Sequence, residues 1–304
     1  MMNRTEKIKT YLAATVGHGF WGFSFLASRT ALDRAPVFVL LSHRFLISFF
    51  IMSLLVLLRL AKLELKGKRV WLLLLLGLAE PVVYFFGEQY GLLHSNTIFS
   101  GVMIATIPIV SMLLASPILR ERPSRGQILF SLLSVGGVVG IGLMTKSSGT
   151  LDWIGVAGLL VAVLSAGAYT LLSRGISGEF SSFERTYMMM AFGAAVFTPL
   201  GLLQSGERLA GFVRPFLDPA YLPAVLFLSV CCSVLCYFFS GYALSRLTVA
   251  RETVFANLTT AVSVFAGAVF LHEPFSWLGG VFCLLILLGI YGVQRTAPRD
   301  AGET

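Results

Sequence analysis

Apolar stretches of membrane length recur along this chain, separated by short clusters of Arg, Lys, Gly and Pro. Runs such as Val70 to Ala79 and Leu217 to Phe239 are almost free of charge, and crossing a hydrocarbon layer takes about 20 apolar residues per helix. The pattern predicts helices near 11–32, 37–58, 70–93, 96–119, 126–145, 153–173, 186–205, 221–245, 252–271 and 276–294. The expected fold class is therefore an all-α membrane protein of about ten transmembrane helices. The segments between them are too short to hold a separate soluble domain.

The chain also repeats itself. Shifted by 152 residues, positions 86–140 align with 238–292 without a gap, and the polar, aromatic and Gly identities carry the match. Phe86 meets Phe238, Tyr90 meets Tyr242, Ser111 meets Ser263, Glu121 meets Glu273, Ser124 meets Ser276, Phe130 meets Phe282, Gly137 meets Gly289 and Gly140 meets Gly292. Five helices per copy is an odd number, so the second copy enters the membrane upside down relative to the first. Inverted repeats are a recurrent construction of secondary transporters, in which two halves enclose a midplane site.

The first helix reads Gly19-Phe-Trp-Gly-Phe-Ser-Phe25 with Arg29 following, and the second carries Arg44. The fourth runs from Pro108 to Leu119-Arg-Glu121-Arg-Pro123 before Gln127, and the second half ends Leu271-His-Glu273-Pro with Gly279 and Gly280 beyond. These residues resemble the EamA-type branch of the drug/metabolite transporter superfamily. The resemblance implies two inverted five-helix EamA repeats, here 1–145 and 153–295 with a short cytoplasmic tail at 296–304. It also implies export of amino acids, metabolites or drugs by alternating access. The departure from the family pattern is acidic: Glu80-Pro81 and Glu88 stand in helix three where apolar or small polar residues are expected.

Composition narrows the class further. Hydrophobic residues make up 56% and charged residues 12%, with a mean hydropathy of +0.83, against roughly a quarter charged in soluble domains. The net charge of +8 is sorted by side, as the positive-inside bias requires, and calls for no nucleic acid. With the N-terminus inside, inner segments hold Arg4, Lys7 and Lys9; Arg59, Lys62, Lys66, Lys68 and Arg69; Arg120, Arg122 and Arg125; Arg174 and Arg185; Arg246 and Arg251; Arg295 and Arg299. Outer loops hold only Arg29, Arg34, Lys146, Arg208 and Arg214. Both termini are therefore expected in the cytoplasm, with the protein multi-pass in the cell inner membrane. The first apolar segment reads as an uncleaved start signal, lacking a small-residue cleavage site. Cys231, Cys232, Cys236 and Cys283 fall inside helices without metal or redox spacing and read as packing residues. No cofactor or metal is expected.

Charges at a helix centre cost about 2.5–3.5 kcal/mol on insertion scales, so those that persist face a cavity or a partner. Arg44, Glu80 and Glu88 qualify, and their depths overlap enough for Arg44 to reach either carboxylate. Glu80, Tyr84 and Glu88 follow one another at four-residue spacing on one helix face, and Pro81 removes a backbone bond and kinks that helix. Glu80 reads as a proton-coupling or amine-binding carboxylate, or as a structural partner of Arg44, His18 or His43. Glu88 is a second proton-coupling candidate or a solvated rim residue. Arg44 grips a substrate carboxylate through its planar fork or staples helix two to helix three. His18 and His43 are proton-relay candidates or hydrogen-bonded packing residues.

Trp21, Ser24, Tyr84, Tyr169 and Tyr237 line a pocket or pack the bundle. Asn257 belongs with the polar set Asn96, Thr97, Ser100, Thr106, Thr259, Thr260 and Ser263, which supplies cavity hydrogen bonds or joins helices. Glu121 and Glu273 read as structural caps of the following helices, and Gly136 with Gly140 as a ridge for close helix packing.

The leading reading is a secondary transporter exporting a small metabolite, an amino acid or related compound first, with proton exchange as its drive. Arg44 would match a zwitterion's carboxylate and Glu80 its amine. A proton-coupled exporter of cationic drugs is the alternative within transport. An intramembrane enzyme lacks the spaced ligands or nucleophile it would need, and a non-transporting membrane subunit is the other class. The expected partners are a small-molecule substrate and the lipid bilayer; oligomeric state is not legible.

Overall fold

The computed structural model describes residues 4–119, 124–147, 152–206, 209–247, 255–272 and 276–296, and among these there is no strand. The helices are α1 (Arg4–Leu32), α2 (Val37–Leu57), α3 (Trp71–Leu93) and α4 (Thr97–Ile104 and Ile107–Leu119). They continue with α5 (Arg125–Ser147), α6 (Trp153–Gly175), α7 (Ser182–Gln204), α8 (Tyr221–Leu244), α9 (Ala256–Phe270) and α10 (Trp277–Arg295). A short helix, Leu209–Val213, and a tight turn, Arg214–Leu217, lie between α7 and α8. Of these, α2, α3, α6, α7 and α8 are long and apolar enough to cross a membrane. Half or less of each such span is buried inside the protein, and the other face is the apolar surface a bilayer covers.

Two boundaries differ from the apolar pattern for local reasons. Helix α1 begins at Arg4 rather than near 11, because its charged first turns continue the helix beyond the apolar run and stay exposed. Helix α7 begins at Ser182 rather than near 186. There Ser181 accepts from the Glu184 N–H while Glu184 accepts from the Ser181 N–H, a reciprocal cap that starts the helix a turn early. The same Glu184 receives Lys68 at 2.7 Å and the Glu64 N–H at 3.0 Å, which straps the α2–α3 loop to the start of α7. Helix α4 breaks at Ala105–Thr106, where Pro108 cannot donate and its ring crowds the Ile104 carbonyl.

The repeat appears in three dimensions as an exchange of contacts. On α5, a Cβ at Gly137 would lie 2.6 Å from Ile286 Cγ1 and 2.8 Å from the Phe282 carbonyl of α10; on α10, a Cβ at Gly289 would lie 2.6 Å from Ser134 Cβ and 2.7 Å from the Phe130 carbonyl of α5. The 152-residue shift turns each contact into the other. Early residues of α5 meet late residues of α10, so the pair is antiparallel. Gly140 and Gly292 likewise seat the rings of Phe282 and Phe130. The packing ridge is therefore Gly137 and Gly140, one turn apart; Gly136 points away, with nothing within 4 Å of a Cβ there. Glu121 and Glu273 lie outside the described residues.

Helices α3 and α8 share a second equivalence. Leu78–Val83 of α3 and Phe227–Leu235 of α8 are wound as π-helix, and the same shift maps 78–83 onto 230–235. Glu80 sits at φ −142°, ψ 114°, off the helix altogether, immediately before Pro81. Each widened turn frees a carbonyl, and each finds a donor on another helix: Ser165 Oγ gives to Ala79 O at 2.6 Å and Trp21 Nε1 to Cys232 O at 3.0 Å. With no water in a bilayer core, such donors are what make irregular backbone tolerable. All four cysteines are free, and Cys236 donates to the Gly17 carbonyl at 3.1 Å, so they pack as the sequence suggests.

Three loop carboxylates are held below their ordinary values. Asp152 takes the Gly155 N–H at the start of α6 and then His94, Glu179 takes the Arg69 N–H and then its guanidinium, and Asp218 takes the Ala220 N–H and then that of Tyr221. A depressed carboxylate stabilises the fold above its unfolded value and loses that contribution as pH falls through its folded value, so detergent melting should decline in acid below about pH 4. Asp152→Asn with Asp218→Asn and Glu179→Gln should flatten that decline. A Gly289→Val substitution should lower stability by about 1–3 kcal/mol in the same melting experiment, while Gly136→Val should leave it unchanged.

Candidate functional site

Seven helices surround one cavity at the π segment of α3. It measures about 120 Å³, many times the roughly 10–15 Å³ that a single water requires, so it has room for a small solute. Helix α1 contributes His18, Trp21, Ser24 and Phe25, α2 contributes Arg44, and α3 contributes Glu80, Tyr84, Phe85 and Glu88. Ile104, Ala105, Ile107 and Pro108 at the α4 break, Ala166, Tyr169 and Thr170 of α6, Tyr237, Ser240 and Leu244 of α8, and Thr259 of α9 complete the wall.

Glu80 accepts a hydrogen bond from the Tyr237 hydroxyl of α8. That partner replaces the three expected from sequence. Arg44 forms no ion pair within 4.0 Å with Glu80 or Glu88 among the described residues; its Nε gives to Ser233 Oγ at 2.8 Å and its guanidinium lies 4.3 Å from the Phe85 ring centre. The Ser233 hydroxyl and the Phe85 ring hold the Arg44 head in that position. Among the described residues nothing accepts from its two Nη groups, and Arg44 lines the cavity while only 2% exposed. Such a planar fork is suited to a carboxylate.

Glu88 is arranged differently. Tyr84 donates to its Oε1 at 2.8 Å and Gln89 Nε2 to its Oε2 at 2.7 Å. It is 5% exposed, which corrects the reading of a solvated rim residue. Between α1 and α9, the Thr259 hydroxyl lies 3.0 Å from the His18 carbonyl and 3.1 Å from His18 Nδ1. Trp21 meets both His18 and Tyr237 edge-on, at 5.2 and 5.4 Å, and Tyr237 meets Tyr169 at 6.0 Å. Ser24 donates back to the Trp21 carbonyl at 2.6 Å.

The structure thus gathers His18, Trp21, Ser24, Arg44, Glu80, Tyr84, Glu88, Tyr169 and Tyr237 around one space. It does not bring His43 there: His43 bonds the Tyr221 hydroxyl at 2.7 Å beneath Phe212 and Phe216, away from the cavity. The side chain of Asn257 lies outside the described residues. Most of the remaining polar set ties helices internally. Asn96 caps α4 by accepting from the Phe99 N–H, Ser95 and Ser100 pair at 3.0 Å, and Ser263 returns to the Thr260 carbonyl. Two positions escaped the sequence reading. Gln89 is adjacent to Glu88, a spacing that does not ordinarily share a face, and Ser233 becomes visible only when the repeat shift is carried back to pair it with Pro81. Among the described residues no group of three His, Cys, Asp or Glu side chains could hold a metal ion.

A helical bundle with a polar cavity walled from both repeats, inside a surface apolar enough for lipid, is the architecture of a transmembrane solute transporter. Comparison with known proteins places it more narrowly. The model of the EamA-like transporter family matches residues 8–143 and again residues 153–295, and the chain belongs to that family. It is 33% identical over 298 residues to the uncharacterized transporter YcxC of Bacillus subtilis (strain 168), covering 96% of this chain and 94% of that one. It is 26% identical over 222 residues to a protein of Streptantibioticus cattleyicolor named a probable terminal-alkyne amino-acid exporter, covering 71% and 69%. A solved crystal structure with 18% sequence identity shares the fold at a TM-score of 0.64 over 95% of this chain and 99% of that one. The relatives are transporters and not enzymes.

Replacing Ser165 by Ala should strand the Ala79 carbonyl and cost about 0.6 kcal/mol, the average for a hydrogen bond between membrane helices. Replacing Trp21 by Phe should cost more, because ring packing on Tyr237 changes as well. Thermal melting of the two purified variants in one detergent checks the order.

Proposed function

We propose that this transporter exports an amino acid or related small metabolite across the inner membrane by alternating access, in exchange for protons, with Glu80 as the coupling carboxylate. The observation that carries the reading is the cavity itself. It sets a buried carboxylate with, among the described residues, a single hydrogen-bond donor, Tyr237, beside an arginine that presents its fork to the same space. Arg44 holds the substrate carboxylate, and Glu80 receives the amine when ionised and a proton when the substrate leaves. The relative named as an amino-acid exporter supports this substrate class.

The reading includes ten spans in two inverted repeats, 1–145 and 153–295, with the tail 296–304 and the N-terminus both cytoplasmic. The antiparallel exchange of contacts between α5 and α10 supports the inversion, and the sorted Lys and Arg residues support the orientation. The two π segments, each at a register related by the repeat, are the places where α3 and α8 can bend as access alternates.

Proteoliposomes with an entrapped pH dye test the reading. A panel of amino acids and metabolites should contain a compound that moves protons with the wild type, and Glu80→Gln should abolish that movement while the protein stays monodisperse. Unchanged transport in Glu80→Gln makes Glu80 structural and ends the reading. Arg44→Lys keeps the charge but loses the fork, and should raise KM about tenfold or more with proton coupling retained.

A further inference from the structure

The two cavity carboxylates are bonded in different ways, and the difference bears on the charge of the solute. Both oxygens of Glu88 receive hydrogen bonds from neutral donors, Tyr84 and Gln89. A carboxylate that accepts at both oxygens is stabilised in its ionised form more than one that accepts at a single oxygen. Among the described residues Glu80 receives one bond, from Tyr237. The groups facing Glu80 are His18 from α1, Arg44 from α2, Tyr84 and Glu88 on α3, Tyr169 from α6 and Tyr237 from α8. Helix α7 reaches Pro81 through Gly193, which carries no charge.

Uncompensated charge in a site walled by hydrocarbon is costly. Among the arginine and carboxylate groups that line the cavity, Arg44 and ionised Glu88 cancel. The site is then neutral when Glu80 is protonated and carries one negative charge when it is not. A zwitterion of zero net charge leaves that negative charge in place, whereas a solute of net charge +1 removes it.

We propose that Glu88 is a standing anion balanced by Arg44, that Glu80 alone exchanges, and that the proton-coupled solute is a basic amino acid: a net monocation bearing a carboxylate, carried one for one against a proton. The proposal rests on Glu80 being the coupling carboxylate. It adds that the exchange is electroneutral, since one positive charge passes each way. Neutral amino acids move through the Glu80-protonated state without proton exchange.

Proteoliposomes loaded with a pH dye, and clamped in membrane potential with valinomycin and potassium, separate the possibilities. Lysine, ornithine and arginine should drive proton movement with a ratio of one and no dependence on the clamp, while alanine and threonine should not. Glu88→Gln cancels Arg44 against ionised Glu80 instead, and should shift the ratio of lysine to alanine transport by about tenfold or more toward alanine. Glu88→Asp should restore the lysine preference and shows that the Gln result is not a folding failure. Proton movement driven by alanine as well as by lysine overturns the inference and leaves Glu80 as the coupling residue. A ratio of two, or a current under the clamp, overturns the charge count. Absence of proton movement with both sets of amino acids overturns the inference together with the coupling role of Glu80.

Discussion

Inside a hydrocarbon layer, a backbone carbonyl or a charge has no water to turn to, and everything irregular in this protein is organised by that constraint. The π segments of α3 and α8 persist because Ser165 and Trp21 arrive from other helices to accept the burden of the freed carbonyls. The same two contacts bring α6 and α1 against the widened turns and so define the walls of the cavity. Glu80 can leave helical geometry because its neighbour Pro81 has no N–H to lose. The polar site is thus a by-product of the place where the helix is least regular.

Much of this was legible in the residues. Apolar runs of membrane length, Lys and Arg sorted between alternate loops, and the 152-residue identities carried the helices and the repeat. Arg44, Glu80 and Glu88 announced themselves because charge in an apolar run is expensive. What the chain does not display is azimuth. Gly136 and Gly137 are equally small, and only the facing α10 decides that Gly137 and Gly140 form the ridge. The partner of Glu80 was sought among charged residues, yet the donor is Tyr237, a neutral hydroxyl brought in by a helix distant in sequence. His43 was grouped with His18 by residue type, and helix rotation placed it beneath Phe212 and Phe216 instead.

Local capping also went partly unread. The Ser181–Glu184 pair is visible as a spacing, but Glu184 extends its reach to Lys68 and the Glu64 N–H, and that strap depends on how the α2–α3 loop folds back. Such long-range second uses of a cap are invisible to periodicity, which reports only which face of a helix is apolar.

The repeats match in backbone and differ in charge. Carried back along α3 and α8, the 152-residue shift pairs Glu80 with Cys232, Pro81 with Ser233 and Glu88 with Ser240. Both carboxylates therefore sit in one copy, and the other copy answers with thiol and hydroxyl. Two identical subunits meeting about the same axis would have to place every acid twice and every arginine twice. A fused duplicate is released from that obligation: one half can shed a charge that the other keeps, and the valence of the site becomes a property that point mutation can adjust one unit at a time.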